Sequence, residues 1–260
     1  MKLHPMVCGL VFLTLAPTAS FQTSSQTLDD TGIDVCRDRV TGVDTQVTQT
    51  TDCTPQSHGR QDARVGRDAA AAKGALVKAG GGSKGFDFIK IGIDGKPVAV
   101  NAKLGSASGE WACSYDNNTG LMWEVKTKSG LRSLVHTYAW YDSVNNYNNS
   151  AGSLGTGTCE VGGRCNTQSY VEDINGIKLC GRNDWRMPTI NELSYLTDRG
   201  RISPAIDPDY FPNTESEIYW STTPHVLWAG YAWAVGFELG SVVFWSANSP
   251  LRVRLVRTGK

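Results

Sequence analysis

Six cysteines follow the first twenty residues, Cys36, Cys53, Cys113, Cys159, Cys165 and Cys180, and they restrict the fold more than any other feature of the chain. The start, Met1-Lys2, then an apolar run over residues 6–16, then Pro17-Thr18-Ala19-Ser20, has the three-part pattern of a secretory signal peptide. The run is too short for a permanent anchor, so no transmembrane segment is expected once it is removed. Cleavage near Ser20 also removes Cys8, leaving an even set of cysteines in an oxidising compartment where disulfides form. Nearness in sequence favours Cys36–Cys53 and Cys159–Cys165, which leaves Cys113 with Cys180. There is no C-x-x-C, and His58, His136 and His225 are scattered, so a structural zinc site is not expected.

The third pairing would tie an early strand to the most informative stretch of the chain, which runs from Cys180 to Leu193. Met187 precedes Pro188 and is biased to extended backbone, whereas Thr189 and Glu192 have the T-x-x-E spacing of a capping box. Extended chain therefore passes into a helix that buries Ile190, Leu193 and Leu196 on one face. Arg182, Asp184 and Arg186 surround Trp185. Buried charges need partners, so Asp184 and Arg186 are read as pairing with each other in a structural keystone rather than an active site.

All eight tryptophans and all nine tyrosines lie at or beyond Trp111, whereas residues 21–110 are rich in Thr, Gln, Asp, Gly and Ala. This shift divides the chain into a signal peptide (1–20), a loop-rich lead-in stapled by Cys36–Cys53 (21–110) and a main domain (111–260). The lead-in is expected to hold a short helix over residues 68–78 and a hairpin over 86–93 that turns at Asp94-Gly95. In the main domain, strands at 111–115 and 121–126 flank a turn at 116–120, with Leu121, Trp123 and Val125 on one face. Helices are predicted over 137–144, over 170–179 with Val171, Ile174 and Leu179 inward, and after Thr189. Between the first two lies a long Asn- and Gly-rich loop at 145–163. The last third is strand-like. Trp233, Val235, Phe237 and Leu239 alternate, Gly240-Ser241 turns, residues 242–245 return, and Leu251, Val253 and Leu255 alternate with Arg252 and Arg254 to give one apolar and one basic face.

Several motifs, taken in order, carry a resemblance. They are Asp116-x-x-Thr119-Gly120-Leu121-Met122-Trp123, Cys180-Gly181-x-x-Asp184-Trp185-Arg186-Met187-Pro188-Thr189-x-x-Glu192-Leu193, Tyr210-Phe211-Pro212-Asn213, Tyr219-Trp220-Ser221-Thr222, Ala232-Trp233-x-Val235-x-Phe237 and Val253-Arg254-Leu255-Val256-Arg257. Their order and spacing resemble the Lcl C-terminal-domain family, named for the C-terminal domain of the Legionella collagen-like adhesin. Met187 stands where that family usually has leucine, a swap that conserves volume. No Gly-X-Y tract is present, so a collagen-like stalk does not carry over. The resemblance implies an α+β, C-type-lectin-like fold with two helices and a short-stranded antiparallel sheet, in the branch shared with formylglycine-generating enzymes. It also implies surface loops that bind glycans, including sulfated ones, or other macromolecules.

Zero net charge argues against a general nucleic-acid binder or a polybasic membrane-surface protein. Catalysis is not expected. H-E-x-x-H and a P-loop are lacking, no cysteine follows Cys180 to support the copper chemistry of the formylglycine branch, and Gly81-Gly82-Ser83-Lys84-Gly85 matches G-x-S-x-G only inside a glycine linker. No cofactor is expected. Calcium is the lesser alternative, through Asp116, Asn118 and Glu124 or through Asp142 with the Asn-rich run after it, although such Asx turns also close loops without metal. The expected ligand site comprises Trp228, Tyr231, Trp245 and Asn248, which with His225 fall in segments flanking strands, joined by a cationic stripe of Arg252 and Arg254, with Arg257 and Lys260 nearby. The competing readings are packing of the aromatics under loops and pairing of the arginines with Glu238. A secreted, periplasmic or surface-exposed bacterial adhesion protein follows, able to form homo-oligomers, with a glycan as favoured ligand. The alternative is an envelope assembly component with a protein partner. Non-reducing peptide mapping of the oxidised protein should return Cys36 with Cys53, Cys159 with Cys165 and Cys113 with Cys180. Any other partner for Cys113 would remove the first strand of the main domain from its place beside residues 180–193.

Overall fold

The computed structural model describes residues 30–33, 36–37, 49–50, 65–144 and 150–259. The expected signal peptide, Cys53 with its expected link to Cys36, the Asn-rich run at 145–149 and Lys260 lie outside the described residues. A two-stranded ladder pairs β1 (Cys36–Arg37) with β2 (Gln49–Thr50). A short helix α1 (Arg67–Ala72) follows, ending sooner than its alanines suggested. The main sheet contains β3 (Phe88–Gly92), β4 (Trp111–Asp116), β5 (Leu121–Glu124) and β9 (Val256–Thr258), antiparallel in the order β3-β4-β5-β9. A second antiparallel sheet has the order β6 (Ile218–Pro224), β7 (Tyr231–Gly236), β8 (Ser241–Ser246). Helices α2 (Thr167–Gly176) and α3 (Ile190–Tyr195) complete an α+β architecture, whose strands form two larger antiparallel sheets beside the β1–β2 ladder where a single sheet was expected.

The alternation of β5 shows how the core is divided. All four of its residues are buried. Leu121 and Trp123 join Val125, Phe211, Tyr219 and Phe237 in one cluster, while Met122 joins Trp185, Trp220 and Leu255 in another, so the main sheet is covered on both faces. Phe86 and Phe88, upstream of the composition boundary, pack in the first cluster, and β3 pairs with β4 from Phe88↔Asp116 to Gly92↔Trp111.

The junction is built as a clamp. Cys113 on β4 is bonded to Cys180, and Cys159 to Cys165. Gly95 turns at φ 80°, and a Cβ there would lie 2.6 Å from the Cys180 carbonyl oxygen, so only glycine lets this turn reach residue 180. The Asn175 side chain holds both the N–H and the C=O of Trp185, at 2.8 and 2.9 Å, and the indole N–H donates to the Leu179 carbonyl at 2.9 Å. Thr189 and Glu192 form the capping box of α3. Asp184 and Arg186, expected to pair with each other, do not. Arg186 makes a bidentate pair with Glu192 at 2.7 and 2.8 Å, and Asp184 pairs with Arg257 of β9 at 2.7 and 3.1 Å. Hydrogen bonds from Arg257 hold the Asp184 carboxyl below the usual carboxylate range.

Two further expectations fail for one reason. Residues 137–144 are not helical: Tyr138, Ala139 and Trp140 are all buried, and their N–H groups donate to Leu251, Cys165 and Ala247. Nor is the closing segment an amphipathic strand. Leu251 bridges Tyr138 while Arg252 bridges Tyr219, and regular pairing begins only at Val256. Both stretches run through the interior, where partners distant in sequence outweigh local propensity.

Arg254 is wholly buried and belongs to a charge cluster around Glu124. The Glu124 carboxylate accepts from Lys126 Nζ at 3.0 Å, from the Leu255 N–H at 3.0 Å and from the Tyr170 hydroxyl, while the Arg254 guanidinium donates to the Glu124 carbonyl at 2.7 Å and to Thr214 Oγ1 at 2.6 Å. Burial would raise the Glu124 carboxyl, but Lys126, the Tyr170 hydroxyl and the Leu255 N–H together hold it below its ordinary value. Desolvation lowers Lys126 to about 8 against the attraction of Glu124. Removing one member of a buried pair strands the other charge at a cost of about 3–5 kcal/mol. Denaturant unfolding should therefore show losses of that size for both Glu124→Gln and Lys126→Met, and a double variant less destabilised than their sum. Because the folded Glu124 value is depressed, its contribution is fully present above the unfolded carboxyl value of about 4.3 and is lost as pH falls through the folded value. Glu124→Gln should flatten that acid limb.

Candidate ligand-binding site

The second sheet carries an aromatic cluster on its β7–β8 hairpin. Pairing is regular over six positions, from Tyr231↔Ser246 through Trp233↔Phe244 to Gly236↔Ser241, so Tyr231, Trp233 and Phe244 share one face. Ala232 and Ala234 on the other face are buried in the core. Between β6 and β7 the chain loops through residues 225–230. The loop is closed by the His225 N–H donating to the Tyr231 carbonyl at 2.8 Å and by Gly230 at φ 75°.

His225 organises this loop. Its Nδ1 accepts from the Leu227 and Trp228 N–H groups at 3.3 and 3.2 Å, which fixes that nitrogen as the unprotonated one. Its ring stacks between Trp228 (centroids 5.0 Å apart) and Trp233 (5.1 Å), with Phe244 at 4.7 Å. Trp228 meets Phe244 edge-on at 4.9 Å and Tyr231 at 5.8 Å. The result is a graded cluster: His225 is 8% exposed beneath three rings that remain open, Trp228 at 51%, Tyr231 at 37% and Phe244 at 36%. Contacts of this kind contribute roughly 0.5–1.5 kcal/mol per aromatic pair beyond buried area, enough to preset the rings before any ligand arrives. Glu238 is the only Asp, Glu, Lys or Arg between residues 218 and 251, so the platform is apolar and uncharged.

Only part of the expected site comes together. Trp228 and Tyr231 lie in the cluster. Trp245 is exposed but pairs with Ala232 and stands on the opposite face of the sheet. Asn248 sits in the turn after β8, where its carbonyl accepts from Thr156. Arg254 is an interior residue, Arg257 is paired with Asp184, and Arg252 is half-buried and donates to the His136 carbonyl at 3.3 Å. The cationic stripe is therefore not formed, and its expected alternative partner Glu238 lies exposed in the β7–β8 turn. In the sequence Trp233 and Phe244 occupy ordinary positions of strand segments. Trp233 does share a face with Val235 and Phe237, but it lies beyond the edge of their core cluster. The available signal was the density of aromatics within twenty residues that otherwise contain few large polar side chains.

Other candidate groups have structural work. Asp116 Oδ1 accepts from the Asn118 N–H at 2.9 Å and Oδ2 from the Thr119 hydroxyl at 2.8 Å, closing the β4–β5 turn, while Glu124 points into the buried ion cluster. Among the described residues, no group of three or more His, Cys, Asp or Glu side chains is placed to hold a metal ion. Ser83 of the G-x-S-x-G match donates to Asp198 Oδ2 at 3.2 Å and its N–H to Asp207 Oδ2 at 2.6 Å, cross-linking a loop rather than forming a strand-to-helix elbow. No helix among the described residues is long and apolar enough to cross a membrane.

No curated protein and no solved structure matches the chain. The family model of the Lcl C-terminal domain matches residues 112–257, a span that starts inside β4, ends inside β9 and includes both helices of the junction and the aromatic hairpin. The chain belongs to the Lcl C-terminal domain family.

Proposed function

We propose that this adhesin-related domain is a secreted bacterial ligand-binding module that works without catalysis and takes a glycan on the platform of Trp228, Tyr231 and Phe244. The observation that carries this reading is the exposure of three rings preset on the buried His225. Folded proteins seldom leave a contiguous apolar patch open unless something binds there, and rings fixed in advance lose little entropy on binding. The apolar faces of pyranose rings match such a surface, whereas sulfate groups would find few free cations nearby because Arg254 and Arg257 are committed elsewhere. An uncharged stretch of saccharide is therefore favoured over a sulfated one. The disulfides, together with the secretory leader expected from the sequence, support a location outside the cytoplasm, in the periplasm or on the cell surface.

A glycan array followed by calorimetry tests this. Trp228→Ala and Tyr231→Ala should each weaken binding by about tenfold or more, the loss typical of a central aromatic anchor. Arg252→Ala should leave it within about threefold, on the scale of a peripheral contact. Raising salt from about 0.15 M to about 1 M, which shortens the screening length from about 8 to 3 Å, should change the affinity little. Failure to bind any glycan, together with a protein that co-purifies in fixed ratio and is lost in Trp228→Ala, would assign the platform to a protein partner instead.

A further inference from the structure

We infer that β8 is the pairing edge of a two-fold dimer of this chain. The two larger sheets have four edge strands, and three of them are blunted. β3 carries Lys90, shifts register at Ile91/Gly92 and is bridged by Pro97; β6 shifts register before ending at Pro224 and is bridged by Arg252; β9 is three residues long and is bridged by Arg186. Charge, proline, irregularity and cover are the usual means by which an edge is kept from pairing with another chain. β8 has none of them. Its sequence Ser-Val-Val-Phe-Trp-Ser lacks charge and proline, its ladder with β7 runs through six pairs without a shift, and among the described residues it pairs with no other strand. Its side chains are open as well, Val242 at 44% and Trp245 at 45% exposed.

A second copy fits this edge better than an unlike strand would, for reasons of symmetry. Antiparallel pairing about a two-fold perpendicular to the sheet keeps like faces on the same side, so the axis must pass through a residue position and not between two. Centred on Val243, it sets Val242 opposite the second copy's Phe244 and Ser241 opposite the second copy's Trp245. Aliphatic-aromatic cross-strand pairs of this kind are favourable, and no like charges meet. Zero net charge on the whole chain leaves no long-range repulsion between copies. The contact is isologous and closes at two chains, joining two three-stranded sheets into one of six. Both aromatic platforms then lie on the same face. If the proposed glycan site is correct, they engage a polymeric ligand together and gain avidity.

Sedimentation equilibrium on the full disulfide-bonded protein tests this. The wild type should show a concentration-dependent two-chain mass, and β8 amides should exchange slowly when concentrated and quickly when dilute. Val242→Lys should give a one-chain mass with unchanged near-ultraviolet circular dichroism, and Val242→Thr, which keeps the branched shape without charge, should remain two-chain. Trp228→Ala should also remain two-chain, so a failed glycan site and a failed dimer are told apart. A one-chain mass at all concentrations up to about 1 mM overturns the proposal. So does a three-chain or larger mass, a two-chain mass retained in Val242→Lys, or β8 amides already protected in a one-chain species, which would mean that another part of the same chain covers the edge.

Discussion

Glu124 holds the domain together because its contacts reach two distant parts of the chain, α2 and the closing segment. Its carboxylate joins β5 to α2 through Tyr170 and to the closing segment through Leu255, and its backbone N–H donates to the Leu255 carbonyl. Lys126 bonds both Glu124 and the Tyr170 hydroxyl, and Arg254 donates to the Glu124 carbonyl from the other side. A charge without water must find its partners within hydrogen-bond reach, so these groups leave few alternative registers for residues 251–256. An apolar plug of the same volume could match the stability but would not fix the register in the same way. The ends of the family span, inside β4 and β9, are brought to either side of β5 by this arrangement.

What was legible in the sequence was mainly local. The capping box at Thr189 and Glu192 needs residues three apart, the turn at residues 116–120 is written in Asp, Asn and Gly, and the Cys159–Cys165 bond closes a short loop. Cys113–Cys180 follows by elimination once the near pairs are assigned. The failures are all of longer range. Alternation of Leu251, Val253 and Leu255 with Arg252 and Arg254 has the period of a half-exposed strand, and nothing local reveals that the arginine side is covered by Glu124, Thr214 and Phe211. Asp184 next to Arg186 suggested a local pair, yet one-residue spacing does not decide partners when Arg257 and Glu192 offer bidentate geometry. Residues 137–144 read as a helix because nothing local reveals that the N–H groups of Tyr138, Ala139 and Trp140 find their acceptors at residues 251, 165 and 247.

The proposed ligand site was half legible for a related reason. Trp228 and Tyr231 are outside regular alternation and so stand out, whereas Trp233 and Phe244 sit in strand positions that usually face a core. The hairpin is long enough that its inner end meets Val235 in the buried cluster while its outer end extends past the core. A period-two pattern identifies a face but cannot say where along that face cover ends. His225 completes the site: buried and polar, it accepts two loop N–H groups and offers a flat ring to two tryptophans, the one arrangement that satisfies its nitrogen and its faces together.

The distribution of polarity is itself an argument about function. This chain places Glu124, Lys126 and Arg254 in the interior and Trp228, Tyr231 and Phe244 on the surface, the reverse of what burial free energy favours for each type. The interior charges are explained by structure, since Glu124 and Lys126 pair with each other and Arg254 donates to the Glu124 carbonyl and the Thr214 hydroxyl, fixing the closing segment. Among the described residues the surface rings have no such explanation: they cap no helix, and their exposed area weakens rather than strengthens the fold relative to polar residues at the same positions. They are nevertheless held by seven ring contacts among themselves, His225 and Trp233, so the arrangement is ordered before a partner arrives. A surface that costs stability and is ordered in advance is what the proposed recognition role requires, and its lack of charge suits the proposed ligand, recognised by shape and stacking rather than by ionic groups.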